Sequence, residues 1–177
     1  AGFLCKKGRH LIKSMQKSFF DRTFSKLHTQ ILDLIDSGER RIAIAAPRGL
    51  GKTTIAKALT IRSILFRDYE FITYNSQSET SAMMQTENIK RELRSNRDIR
   101  KVFGDVKISA DDPEIDESFS KHSWVAFGHT LVMPRGVGQQ VRGLLFKNSR
   151  PGLIIVDDLE NREELENPEN RRKIKDW

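Results

Sequence analysis

Arg41-Ile42-Ala43-Ile44-Ala45-Ala46-Pro47-Arg48-Gly49-Leu50-Gly51-Lys52-Thr53-Thr54 is a short apolar run that enters a glycine-containing turn and ends in Gly-Lys-Thr-Thr. The next residues, Ile55-Ala56-Lys57-Ala58-Leu59, read as helix. Strand, glycine loop and helix in that order are the context a phosphate-binding P-loop requires. Gly49 and Gly51 allow the backbone to curl so that successive N–H groups point inward, and the following helix N-terminus adds partial positive charge. In that reading Ala46 to Thr54 cradle the phosphates of a nucleotide. Lys52 reaches the β- and γ-phosphates, and the Thr53 hydroxyl is a Mg²⁺ ligand. One position departs from the strict pattern: Ala46 stands where G-x-x-x-x-G-K-[ST] has its first glycine.

Gly152-Leu153-Ile154-Ile155-Val156-Asp157-Asp158-Leu159-Glu160 is a second diagnostic segment. Its unbroken apolar run is expected of a strand buried on both faces of a parallel sheet. Acids at the carboxyl end of such a strand lie where open α/β sheets bind ligands. Asp157 is expected to hold the hydration shell of Mg²⁺ through water, and Asp158 to orient or deprotonate the attacking water.

Between these segments strands and helices alternate. A helix over 11–36 closes at Ser37-Gly38, and the strand at 41–46, the loop and a helix to Phe66 follow. A strand at 70–75, a long helix from Ser78 to Ser95 and a short helical piece to Phe103 come next. Residues 123–127 and 129–133 flank Gly128 as a hairpin or bent strand pair. The strand at 153–157 precedes a charged terminal helix. This order predicts an α/β fold with a mainly parallel central sheet flanked by helices. The interval from Lys52 to Asp157 holds another strand–helix unit and a hairpin. It leaves room for an inserted strand, as in motor-type P-loop ATPases.

Length and composition point to one soluble intracellular domain: 177 residues suit a single core, at about 100–200 residues per domain. No apolar stretch approaches the ~20 residues of a membrane span, and no signal peptide is apparent. The single cysteine, Cys5, excludes an internal disulfide. Lys and Arg number 31 against 24 Asp and Glu, a basic balance that favours a polyanionic partner. The excess gathers within residues 1–30 and again at Lys90, Arg91, Arg94, Arg97, Arg100 and Lys101. The acidic segment 111–117 contains a proline, has no periodicity and reads as a surface loop.

Leu27 to Leu32, the Pro47-Arg48-containing loop, Gly138 to Gly143 and Arg150 to Glu160 together resemble the N-terminal ATPase of tailed-phage large terminase subunits, over about Phe24 to Trp177. The resemblance implies a motor-type P-loop ATPase that hydrolyses ATP with Mg²⁺ to drive viral double-stranded DNA into a capsid. It implies the portal protein and small terminase subunit as partners and a homo-oligomeric ring when assembled. It also implies residence in the cytoplasm of an infected or lysogenic bacterial host. It assigns Arg48 a charge-stabilising role in cis and Arg142 a role at a neighbouring subunit's nucleotide, and it places His28 and Gln30 in the adenine-contacting region. The family usually has Glu directly after the metal-binding Asp. Here that residue is Asp158, about one methylene shorter, so Glu160 is the alternative water-orienting acid.

The whole of 1–177 then reads as one ATPase domain, with 1–36 as a helical lead-in. No residues remain for the nuclease and coupling motif the resemblance leads one to expect, so the chain is expected to be a piece, monomeric in isolation. A helicase-like DNA-dependent ATPase, or a nucleotide-binding module that assembles on DNA without hydrolysis, are the competing readings.

Overall fold

The computed structural model describes residues 25–107 and 119–159, with Glu169 and Arg172. The expectations for 11–24, the acidic loop, Glu160 and most of the terminal helix lie outside the described residues. Two compact units divide the chain, Ala1–Arg62 and Ser63–Trp177.

The first unit holds helix α1 (Lys26–Ile35) and most of helix α2 (Lys52–Leu65). Ile31 and Leu32 are the buried residues of α1, and Ile55, Ala58 and Ile61 are buried in α2. The C-cap residue of α1, Asp36, forms a 2.9 Å ion pair with Arg62 of α2. Residues 41–47 form no strand ladder, which corrects the strand expected there. Ala43, Ile44 and Ala45 are exposed. An apolar run specifies a strand only when a neighbour takes its backbone N–H and C=O groups, and periodicity does not supply the neighbour.

The second unit is built on strand β1 (Phe71–Ser76), all six of whose residues are buried. Helix α3 (Glu79–Ser95) and the short helix α4 (Arg97–Phe103) follow. Strands β2 (Trp124–Ala126) and β3 (Thr130–Gly136) make an antiparallel hairpin, and β4 (Leu153–Val156) comes last. The strand order is β2-β3-β1-β4. Among the described residues β4 is thus an edge strand, and Ile154 and Val156 are exposed with only Ile155 buried, which corrects the expectation of a strand buried on both faces. β1 runs parallel to both neighbours, with Phe71 beside Leu131 on one side and Ile72 beside Leu153 on the other. The fold is thus α/β, and the mainly parallel sheet of the sequence reading is corrected to a mixed four-stranded one. The hairpin explains the difference: Phe127 and Gly128 both take left-handed backbone angles, and His129 N–H closes the turn onto Ala126 O at 3.0 Å. A turn that tight can only join antiparallel strands.

Helix α3 packs on β3 and β1. Its start is fixed by Ser78, whose hydroxyl accepts from Ser81 N–H at 3.1 Å, an N-cap that satisfies one of the helix's orphan donors. Asn96 ends α3 and caps α4, its Oδ1 accepting from Asp98 N–H and Ile99 N–H. Ile89, Leu93, Ile99, Phe71 and Trp124 are among the fully buried side chains of this unit. Lys90 is buried with them. Its ammonium donates to Glu87 and, at 2.7 Å, to Ser120 O, and it lies 5.0 Å from the Phe119 ring centre and 5.4 Å from that of Trp124. Lys90 therefore drops out of the exposed basic cluster, while Arg91, Arg94, Arg97, Arg100 and Lys101 remain exposed.

Candidate functional site

In the first unit the glycine loop closes around its own lysine. Gly49 and Gly51 both have φ of 81°, the left-handed region that side chains disfavour and glycine enters freely. Gly51 O accepts from Ile55 N–H at 2.9 Å, so the loop passes directly into the first turn of α2. The Lys52 ammonium folds back to donate to Ala46 O at 2.8 Å and Pro47 O at 3.1 Å. A charged amine is thus tied to the carbonyls that open the loop, on a residue at a helix N-terminus, where the helix dipole favours an anion. Ala46 does not take a positive φ, so its Cβ costs no backbone strain where the strict motif has glycine. Thr53 is half-buried at the second position of α2, and Arg48 is exposed on the loop.

His28 is tied to the same loop. Its Nδ1 accepts from Ser25 N–H at 3.0 Å, which leaves Nε2 to carry the proton and donate to Leu50 O at 2.7 Å. Helix α1 and the loop are thereby joined through one imidazole. Gln30, two residues on, is exposed.

In the second unit the acids stand at the carboxyl ends of the parallel strands. The ladder between β1 and β4 continues past Val156: Asp157 N–H donates to Asn75 O at 2.9 Å, and Gln77 N–H donates to Asp158 O at 3.1 Å. Asp157 is half-buried and its Oδ2 accepts from the Tyr74 hydroxyl at 2.9 Å. Burial above all, and then the Asp157 charge, push the Tyr74 phenol far above its ordinary pKa, so it stays a donor. Asp158 is exposed and left-handed, with φ of 48°, a conformation Asp tolerates better than most residues. The two adjacent carboxylates thus have unlike surroundings.

Beside them, Asn75 is fully buried, its Nδ2 donating to Ile155 O at 2.8 Å while its Oδ1 has no hydrogen-bond partner. The segment after β3 is pinned by Gln139, which accepts from Gly136 N–H at 2.8 Å and donates to Glu79 Oε2 at 2.7 Å. His122 Nδ1 lies 2.9 Å from Glu79 Oε1. Hydrogen bonding from His122 first, and then from Gln139, holds the Glu79 carboxyl below the usual range. Arg142 stands on an exposed turn of this segment, its backbone O accepting from Gln140 Nε2 at 2.8 Å.

The structure therefore gathers Ala46, Pro47, Leu50, Lys52 and His28 around one loop, and Asp157 and Asp158 at the end of one strand. The sequence reading missed Tyr74, Asn75, Glu79 and Gln139. The available signal was the polar content of Thr73-Tyr74-Asn75-Ser76, since polar side chains in a central strand need partners.

No group of three or more His, Cys, Asp and Glu side chains among the described residues forms a metal cage. Mg²⁺ rarely uses one; it takes one or two carboxylates together with phosphate oxygens and water. Within the first unit the Thr53 hydroxyl, and within the second the Asp157 and Asp158 carboxylates, are hard oxygen donors of the chemical kind that ion takes. No protein-family model matches the chain, and neither a curated protein nor a solved structure matches it at a significant level.

Proposed function

We propose that this chain is a Mg²⁺-dependent ATPase that powers translocation of double-stranded DNA, the ATPase part of a large terminase subunit. The observation that carries the reading is the Gly49–Gly51 loop curled around the Lys52 ammonium at the start of α2. A polyphosphate is the ligand whose charge suits an ammonium beside a glycine loop and a helix N-terminus together. Asp157 and Asp158 at the carboxyl end of β4 add the oxygen donors that phosphoryl transfer needs.

The roles follow from the chemistry. Lys52 and the loop N–H groups bind the β- and γ-phosphates, and Arg48 adds positive charge in cis. Thr53, and Asp157 through water, would hold Mg²⁺, which when bound neutralises charge developing on the phosphates. Asp158 orients the attacking water and accepts its proton, with Glu160 as the competing acid. Catalysis of this kind is positioning and charge stabilisation rather than covalent chemistry. The exposed arginines of α3 and α4 would meet the phosphate backbone of DNA.

Phosphate release with Mg·ATP, measured with and without duplex DNA for wild type and Lys52→Ala, tests the reading. Hydrolysis by wild type, lost in a folded Lys52→Ala protein, is the expected result. Nucleotide binding without hydrolysis would favour the assembly-module reading. Hydrolysis unaffected by Lys52→Ala would end the P-loop assignment.

A further inference from the structure

We infer that Tyr74 is a positioning residue for the metal-binding carboxylate, fixing Asp157 in the orientation that presents it to Mg²⁺·nucleotide. The inference rests on the proposed ATPase function and adds to it a residue that no part of the P-loop pattern specifies.

The geometry is set by the sheet. Tyr74 lies at the centre of β1, an interior strand, and is fully buried. In the parallel register its neighbour on β4 is Ile155. Side chains two residues apart on a strand share a face, so Asp157 follows Ile155 on the face that carries Tyr74. The two side chains meet at 2.9 Å, hydroxyl to Oδ2. A phenol buried this deeply needs a hydrogen-bond partner, and a carboxylate is the strongest acceptor available. The ring itself is wedged in the core, so the hydroxyl has little freedom to follow the carboxylate. The carboxylate instead is held to the hydroxyl, and one of its oxygens is committed.

An unconstrained aspartate can rotate about two side-chain torsions, and a site that binds Mg²⁺ through water must hold its oxygens still to order that water. Groups that hydrogen-bond to a metal ligand orient it, and their loss typically costs about 10- to 100-fold in metal affinity or activity. Tyr74→Phe keeps the ring in the core and removes only the hydroxyl, so it separates orientation from packing.

The test uses Mn²⁺ as the probe, with ADP, on the chain as it stands. Mn²⁺ affinity of the ADP-bound protein is expected to fall roughly 10- to 100-fold in Tyr74→Phe, with ADP affinity in EDTA unchanged. A role confined to packing would leave Mn²⁺ affinity unmoved. A second readout needs no variant. The chain has two tyrosines, Tyr69 and Tyr74, so 3-fluorotyrosine labelling gives two ¹⁹F resonances. Tyr69 precedes β1 at its amino end, five residues from Tyr74, or roughly 16 Å along an extended chain. Binding of Mn·ADP should broaden the Tyr74 resonance strongly and the Tyr69 resonance far less. Bound Mn·ADP that broadens both alike, or a folded Tyr74→Phe protein with wild-type Mn²⁺ affinity, overturns the inference and leaves the ATPase reading standing. Wild type that does not bind Mn·ADP at all takes down both.

Discussion

Asp157 and Asp158 are chemically alike and separated by one peptide bond, but their surroundings differ, and the proposed function gives them different work. Asp157 is half-buried with an oxygen bonded to a core tyrosine, whereas Asp158 is exposed on a left-handed residue that turns the chain out of β4. A held carboxylate suits an ion and an exposed one suits a mobile water. Asp157→Ala is therefore expected to lose Mg²⁺-dependent nucleotide binding, read by titration of a fluorescent nucleotide with and without the ion. Asp158→Asn should keep nucleotide affinity while turnover falls by about 100-fold or more, because it removes a base and nearly preserves shape. If Glu160→Gln shows that pattern and Asp158→Asn is nearly silent, the catalytic acid is Glu160. Lys52 belongs to this scale too: its two carbonyl partners are what a phosphate would replace under the proposed function.

At the scale of elements, the junction of β3 with α3 is the tightest point near the acids. A Cβ on Gly136 would stand 2.4 Å from Glu79 N and 2.9 Å from Ser78 C, backbone atoms that cannot swing aside. The end of β3 and the capped start of α3 are therefore in contact through glycine, with Gln139 bridging Gly136 and Glu79 next to it. Gly136→Ala is expected to destabilise the fold by about 1–3 kcal/mol, the usual range for overpacking. Thermal unfolding checks it, as a fall of several degrees in midpoint, and an unchanged midpoint would mean that the junction yields. Elements were also where composition was most informative. Residues 70–75, 78–95 and 153–157 were legible as strand, helix and strand within a residue or two of their observed limits, because each presents a long, consistent pattern. The run at 41–46 looked equally apolar and is not a strand, because pairing is not encoded in one segment.

Whole-molecule behaviour turns on whether the site is complete in one chain. Arg142 is exposed on its turn, as a role at a neighbouring subunit's nucleotide under the proposed function requires. Turnover per chain is accordingly expected to rise with protein concentration in wild type and to stay flat and low in Arg142→Ala. An arginine finger is worth about 10³–10⁵ in rate, so the contrast would be large. Rapid turnover independent of concentration in both proteins would mean that Arg48 supplies the charge alone. The exposed arginines of α3 and α4 make a further expectation for the same preparation: duplex DNA binding should weaken steeply as salt rises, since each phosphate contact releases counterions.

What the sequence by itself determined was local. The order of glycines, lysine and threonine settled the loop and the helix after it, since left-handed backbone angles and a helix N-terminus depend on residues close together in the chain. The apolar run ending in two acids located β4 and put Asp157 and Asp158 at its carboxyl end, but not its place at the sheet edge, where Ile154 and Val156 are exposed. Tertiary structure alone decided the strand order of the sheet, the burial of Lys90 under Phe119 and Trp124, and the pairing of Tyr74 with Asp157, 83 positions later. Register across a sheet is fixed by which strands become neighbours. That choice is made by the packing of the whole chain, and no single segment carries it.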